Sequence, residues 1–194
     1  MRELEKGLRA LKENRREEAE KFLLRALEQK DPPLEAWIAM GKLRFTQGRF
    51  LEAKNYLLVS YQKNPQLAPV IALLGATLAR LGYLQQPIQL IKEAVRLDPS
   101  PSMKQLLAEE LLNQGFLGEA ESLFSEIRGA LPEAGAVGLA MIHERYGRKE
   151  EAYQLLKPLL SRAHQFPNVA YLWSSLARGL GRPAEALPVM ELAL

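Results

Sequence analysis

A six-residue phrase, Gly-x-x-x-Glu-Ala, returns at nearly constant spacing along the chain, and it restricts the fold more than any other feature. Clear copies are Gly48–Ala53, Gly115–Ala120, Gly147–Ala152 and Gly181–Ala186; Asn14–Ala19 and Gly82–Pro87 are weaker copies in the remaining slots. The phrases end at 19, 53, 87, 120, 152 and 186, so the steps are 34, 34, 33, 32 and 34 residues. Self-similarity at this period means stacked supersecondary units, each too small to bury its own apolar face. Pro65, Pro99 and Pro132 lie 17 residues after Gly48, Gly82 and Gly115. The second half of a unit therefore keeps its length, and the lost residues fall in the connections between units.

Inside a unit the apolar spacing is helical. Trp37, Met40, Gly41 and Arg44 stand at i, i+3, i+4 and i+7, with the aliphatic stem of Arg44 able to lie along the seam. Phe50, Ala53, Leu57, Ser60 and Tyr61 repeat the pattern beyond Gly48. Each unit is thus predicted to be a helical hairpin. Glycine occupies the joint in five copies and Asn14 in the sixth, as a first helix ending in a left-handed residue requires. Ala19, Ala53, Ala120, Ala152 and Ala186 are expected to face the partner helix where only a methyl permits close approach. Pro87 is tolerated in that slot because a first-turn N–H has no intrahelical partner to lose. Pro158 and Pro188 fall inside second helices and predict kinks or early ends there. Gly135 and Gly138 thin one side of a first helix, at about 1 kcal/mol each relative to alanine, which leaves room for a packed helix or a bound chain.

These units resemble the tetratricopeptide repeat (TPR). Leu34 to Leu67 carries Trp37, Gly41, Gly48, Ala53 and Pro65 in the family's register; the next unit supplies Leu74, Gly75, Gly82, Ala94 and Pro99. The others supply Gly7, Ala19 and Ala26; Ala108, Gly115, Ala120 and Pro132; Ala140, Gly147 and Ala152; and Gly181, Ala186 and Ala193. The resemblance implies an all-α, right-handed solenoid of six hairpins forming one domain over 1–194. The approximate repeats are 1–33, 34–67, 68–101, 102–134, 135–166 and 167–194. Leu194 falls before the sixth second helix is complete, so either the chain continues or another molecule covers the last hairpin.

Composition narrows the function. The 194 residues include no cysteine, which excludes disulfides, thiolate metal sites and thiol catalysis. The longest near-apolar stretch, Leu67 to Ala79, is too short to span a bilayer, and the charged start lacks an apolar secretory segment. A cytoplasmic protein without membrane insertion is expected. His143 and His164 lie 21 residues apart with no metal-ligand spacing around them, and no glycine-rich phosphate loop is present. No catalytic residue, metal site or cofactor is therefore expected, and His143 reads as a packed imidazole with one hydrogen bond.

What stacked hairpins offer is a concave surface lined by first helices, where a protein or peptide with spaced apolar anchors would fit. By the family resemblance it includes Leu4, Leu8, Leu11, Ile38, Lys42, Phe45, Leu73, Ala76 and Arg80. Later units add Gln105, Leu106, Glu109, Asn113, Met141, Glu144, Arg145, Tyr171 and Arg178. The alternative for many of them is packing between neighbouring units; Trp37 and Trp173 read as core. Leu4, Leu8, Pro69 and Leu73 stand where the family's carboxylate-binding set needs polar residues, so chaperone tails are disfavoured. Arg15, Arg49, Arg148 and Arg182 follow the joint in four units and form a candidate basic rim for an acidic partner or phosphate backbone. Nearby glutamates dilute that field, and a net charge of +3 argues against nucleic acid. The expected role is a non-catalytic protein-interaction scaffold; the alternative is a regulatory or substrate-docking segment of a longer enzyme. Self-association through the last hairpin is a further expectation.

Overall fold

The structure, a computed structural model, describes residues 2–162 and 164–191. Ala193 and Leu194, on which part of the sixth-repeat reading rests, lie outside the described residues. The chain divides into two compact units, Met1–Pro99 and Ser100–Leu194. The first contains α1 (Arg2–Lys12), α2 (Arg16–Leu27), α3 (Leu34–Thr46), α4 (Phe50–Lys63), α5 (Ala68–Arg80) and α6 (Gln85–Leu97). The second contains α7 (Pro101–Asn113), α8 (Leu117–Ile127), α9 (Pro132–Arg145), α10 (Lys149–Leu156), α11 (Pro167–Gly179) and α12 (Pro183–Glu191). Helices pair in sequence as hairpins, three to a unit, and no strand occurs among the described residues.

All six joints are built alike. Asn14, Gly48, Gly82, Gly115, Gly147 and Gly181 have φ between 56° and 85°, the left-handed region. At each joint two backbone N–H groups close back on the first helix. At the second, Gly48 N–H donates to Phe45 O (3.0 Å) and Arg49 N–H to Arg44 O (2.9 Å). This is the Schellman arrangement, which satisfies carbonyls that a helix end otherwise leaves open. A Cβ on any of the five joint glycines would touch nothing within 4 Å, so the backbone conformation, not space, selects glycine there.

The opposite reason selects the first-helix glycines. A Cβ at Gly7, Gly41 or Gly75 would stand 2.9, 2.7 or 2.8 Å from Leu23, Leu57 or Ile91 of the partner helix. That partner buries a stripe one turn apart: Ala19, Leu23 and Ala26 in α2, Ala53, Leu57 and Ser60 in α4, Pro87, Ile91 and Ala94 in α6. In the second unit Ala120, Phe124 and Ile127 of α8 do the same. Between hairpins, Leu23, Ala39, Met40 and Leu43 form one cluster of the first unit, and Ala53, Leu57, Val70, Leu74 and Leu78 another. Trp173 is buried and stacked on Tyr153 at 4.7 Å; Trp37 is half-buried against Tyr56.

The two interior prolines differ in outcome. α10 ends at Leu156 and gives way to a 3-10 helix, Lys157–Arg162, which starts beside Pro158. α12 instead runs through Pro188 to Glu191. The Ser174 hydroxyl of α11 donates to Ala186 O in that helix, at 3.4 Å.

Arg44 goes further than a stem in a seam. It is 3% exposed, and its guanidinium donates to both Glu20 carboxylate oxygens (2.6 and 2.7 Å) and to Gln47 Oε1 (2.8 Å). Its Nε lies 3.1 Å from Glu52 Oε2. One side chain of α3 thus ties α2 to α4. The Arg44 hydrogen bonds hold the Glu20 carboxyl below the usual carboxylate range, and Glu20 in turn raises the Arg44 guanidinium.

Candidate functional site

In the second unit α7, α9 and the start of α11 border a pocket of about 650 Å³. Its apolar wall is Leu112, Leu131, Val137, Met141 and Phe166, with the Phe124 ring of α8 at the bottom. α9 is thin where it lies against α8. A Cβ at Gly138 would fall 2.4 Å from Phe124 ring carbons, and one at Gly135 2.8 Å from the Arg128 Cα. These two glycines therefore serve helix packing, and the groove forms beside them. Leu131 and Phe166 each precede a proline at the start of a first helix, which keeps them out of the helical region, at ψ 72°.

The polar border has two characters. Glu133 is paired with Arg162 (2.9 Å), whose guanidinium also lies over the Phe166 ring at 5.0 Å. Glu109 accepts a hydrogen bond from Gln105 (2.7 Å). Asn113 and Asn168 are exposed, and their amides make no side-chain hydrogen bond among the described residues. Each has donors and acceptors to offer a peptide main chain.

Of the first-helix residues expected at a groove, Gln105, Glu109, Asn113 and Met141 meet in this pocket. Leu131, Val137, Phe166 and Asn168 escaped the sequence reading. Leu131 and Phe166 are in connections, outside the first-helix positions considered, whereas Val137 stands one turn before Met141 and its spacing was a usable signal. Arg145 is exposed, and its guanidinium reaches back to Leu112 O (2.5 Å) and fastens α9 to α7. Tyr171 and Arg178 are exposed on α11, away from the pocket lining.

In the first unit Leu8 and Leu11 pack against the cluster around Leu23 and Met40, and Ile38, Phe45 and Leu73 against that around Leu57 and Leu74. All five keep part of their surface open; Phe45 also meets Phe50 edge-on at 5.5 Å. Lys42 and Arg80 are exposed. Lys42 borders a smaller pocket of about 330 Å³ with Leu11, Lys12, Asn14, Arg16, Leu43 and Thr46.

The arginines that follow the joints are engaged locally. Arg15 pairs with Glu13 and Glu18, and Arg49 with Glu52 at 2.7 Å. Arg182 pairs with Glu150 at 3.1 Å and lies over the Tyr153 ring, whose hydroxyl donates to Glu185. Arg148 lies over the Tyr146 ring at 5.1 Å. His143 is half-buried with Nδ1 2.9 Å from Glu151 Oε2. No group of three or more His, Asp or Glu suited to a metal ion occurs among the described residues. None of the described helices is long and apolar enough to cross a membrane.

No family model matches the chain, and no curated protein sequence matches it. Solved structures do. A tetratricopeptide repeat protein from Parabacteroides merdae superposes with a TM-score of 0.79 at 16% identity, over 98% of this chain and 77% of that one. A thermophilic TPR protein of Thermus thermophilus gives 0.71 at 19% identity, over 90% and 97%.

The chain has the TPR fold.

PilW, described as a widely conserved type IV pilus biogenesis factor, is similar to it as well, with a TM-score of 0.83 at 17% identity over 96% of this chain and 88% of that one. The hairpins, joint glycines and small-residue stripes described above are thus those of an all-α TPR solenoid class. Within this fold the pocket of the second unit lies on the first-helix side, bordered by α7, α9 and α11.

Proposed function

We propose that the chain is a non-catalytic protein-interaction scaffold whose second unit holds a peptide or helix by apolar anchors. The observation that carries this reading is the pocket itself: apolar walls from Leu131, Val137, Met141 and Phe166 stand beside the free amides of Asn113 and Asn168. Apolar side chains supply burial, and the amides satisfy the polar main chain that comes with them. Likeness to TPR structures and to a pilus biogenesis factor is consistent with a role in assembling other proteins.

Peptides selected from a random library on the intact chain test the proposal. Their affinity is expected to fall at least about tenfold in Met141→Glu, which places a charge against the apolar wall, with the melting temperature unchanged. Met141 is exposed enough, at 36%, to be changed without opening the core. Selected peptides that bind this variant as well as the parent would refute the groove. Leu187 and Met190, exposed on α12, offer a second contact face, through which the chain would self-associate. Light scattering that shows one mass at all concentrations would reject that mode.

A further inference from the structure

Charge is unevenly divided between the two units. Residues 1–99 hold 17 Lys and Arg against 12 Asp and Glu, a net +5; residues 100–194 hold 9 against 11, a net −2. Three of the first unit's cations, Lys12, Arg16 and Lys42, border one pocket with no carboxylate in its lining. Neither lysine is ion-paired among the described residues, and Arg16 meets only the neutral Asn14 oxygen, 3.2 Å from its Nε. Three other arginines of this unit are neutralised locally: Arg15 by Glu13 and Glu18, Arg44 by Glu20, Arg49 by Glu52.

Helix ends explain only part of this arrangement. Lys12 complements the carbonyl end of α1, but Arg16 opens α2, where the helix dipole disfavours a cation. Three like charges around one pocket repel each other and gain when an anion sits among them. Beside the neutral polar Asn14 and Thr46, Leu11 and Leu43 add apolar surface to the lining, so the matching ligand carries an apolar side chain next to its negative charge.

From this geometry we infer that the first unit binds an acidic segment of a protein partner, with a carboxylate between Lys12, Arg16 and Lys42 and an adjacent apolar residue on Leu11. The inference rests on the reading of the chain as a protein-binding scaffold and adds the partner's charge at a second place. A nucleic-acid backbone fits less well: phosphates need a continuous basic track, and the neighbouring face, on which Arg16 meets Arg15, Glu17, Glu18 and Lys21, mixes both signs.

The test uses the full chain and a short fluorescein-labelled peptide of alternating Asp and Leu, with a Lys-and-Leu peptide as counterpart. The acidic peptide is expected to bind saturably, more weakly as salt rises, and the basic one not to bind. Lys12→Ala with Lys42→Ala should weaken the acidic peptide at least about tenfold, whereas Lys30→Ala, which removes an exposed cation of the same unit outside that pocket, should leave it unchanged. Equal binding to the double variant overturns the inference, and so does equal loss in Lys30→Ala. A single-stranded oligonucleotide that binds more tightly than the peptide, or inorganic phosphate that displaces the peptide at equal concentration, overturns it too. Met141→Glu separates the two readings: it should abolish the groove peptides of the second unit and spare the acidic peptide.

Discussion

Gly138 offers a test in which two well-known effects point in opposite directions. Replacing a glycine inside a helix with alanine normally stabilises by about 1 kcal/mol, through the entropy that glycine loses on folding. At Gly138 the added methyl would lie 2.4 Å from two ring carbons of Phe124 and 2.5 Å from a third. Carbon atoms pack at about 3.5–4.0 Å, so the ring must move by about 1 Å. Phe124 is 2% exposed and has little free space to enter. Forcing an extra methyl into such a site costs about 1–3 kcal/mol, which exceeds or cancels the helical gain. Gly118, in the first turn of α8, has nothing within 4 Å of the same added atom and serves as the control. Thermal melts followed by circular dichroism should show Gly138→Ala below the parent, by about 2–4 °C for each kcal/mol lost. Gly118→Ala should melt at or above the parent. In a Phe124→Leu background the Gly138→Ala penalty should shrink, giving a coupling of about 1–3 kcal/mol. A higher melting temperature for Gly138→Ala alone would refute the argument that ring contact governs this position.

Three further outcomes are expected. Glu20→Gln should destabilise by about 1 kcal/mol at neutral pH, a charged hydrogen-bond contribution discounted because the Glu20 side chain is 27% exposed. Since folding depresses the Glu20 carboxyl, its stabilisation is complete above the unfolded value of about 4.3 and fades as pH falls through the folded one. Melts between about pH 7 and pH 3 should therefore show parent and variant converging in acid. Asn14→Gly should raise stability slightly and Gly147→Ala lower it by about 1 kcal/mol, because both positions are left-handed; chemical denaturation reads both. Ala120→Leu, at a fully buried site between α7 and α8, should cost about 1–3 kcal/mol by overpacking, and an unchanged denaturation midpoint would contradict that packing.

Much of the fold was legible in the sequence because its causes are local or strictly periodic. A left-handed joint needs glycine or asparagine within a few residues, and all six joints carry one. Helices lying in close contact need a small residue at a fixed offset, and Ala19, Ala53, Ala120 and Ala152 are fully buried there. Such requirements repeat with every hairpin, so one period of the sequence displays them all. Tertiary structure alone decided the rest. Arg44 finds Glu20 across 24 positions; Leu131 and Phe166 turn from connections into a pocket wall; Lys12, Arg16 and Lys42 meet at another. These meetings depend on how each hairpin leans on the next, which is set by the summed shapes of many buried side chains. No single spacing in the sequence carries that sum.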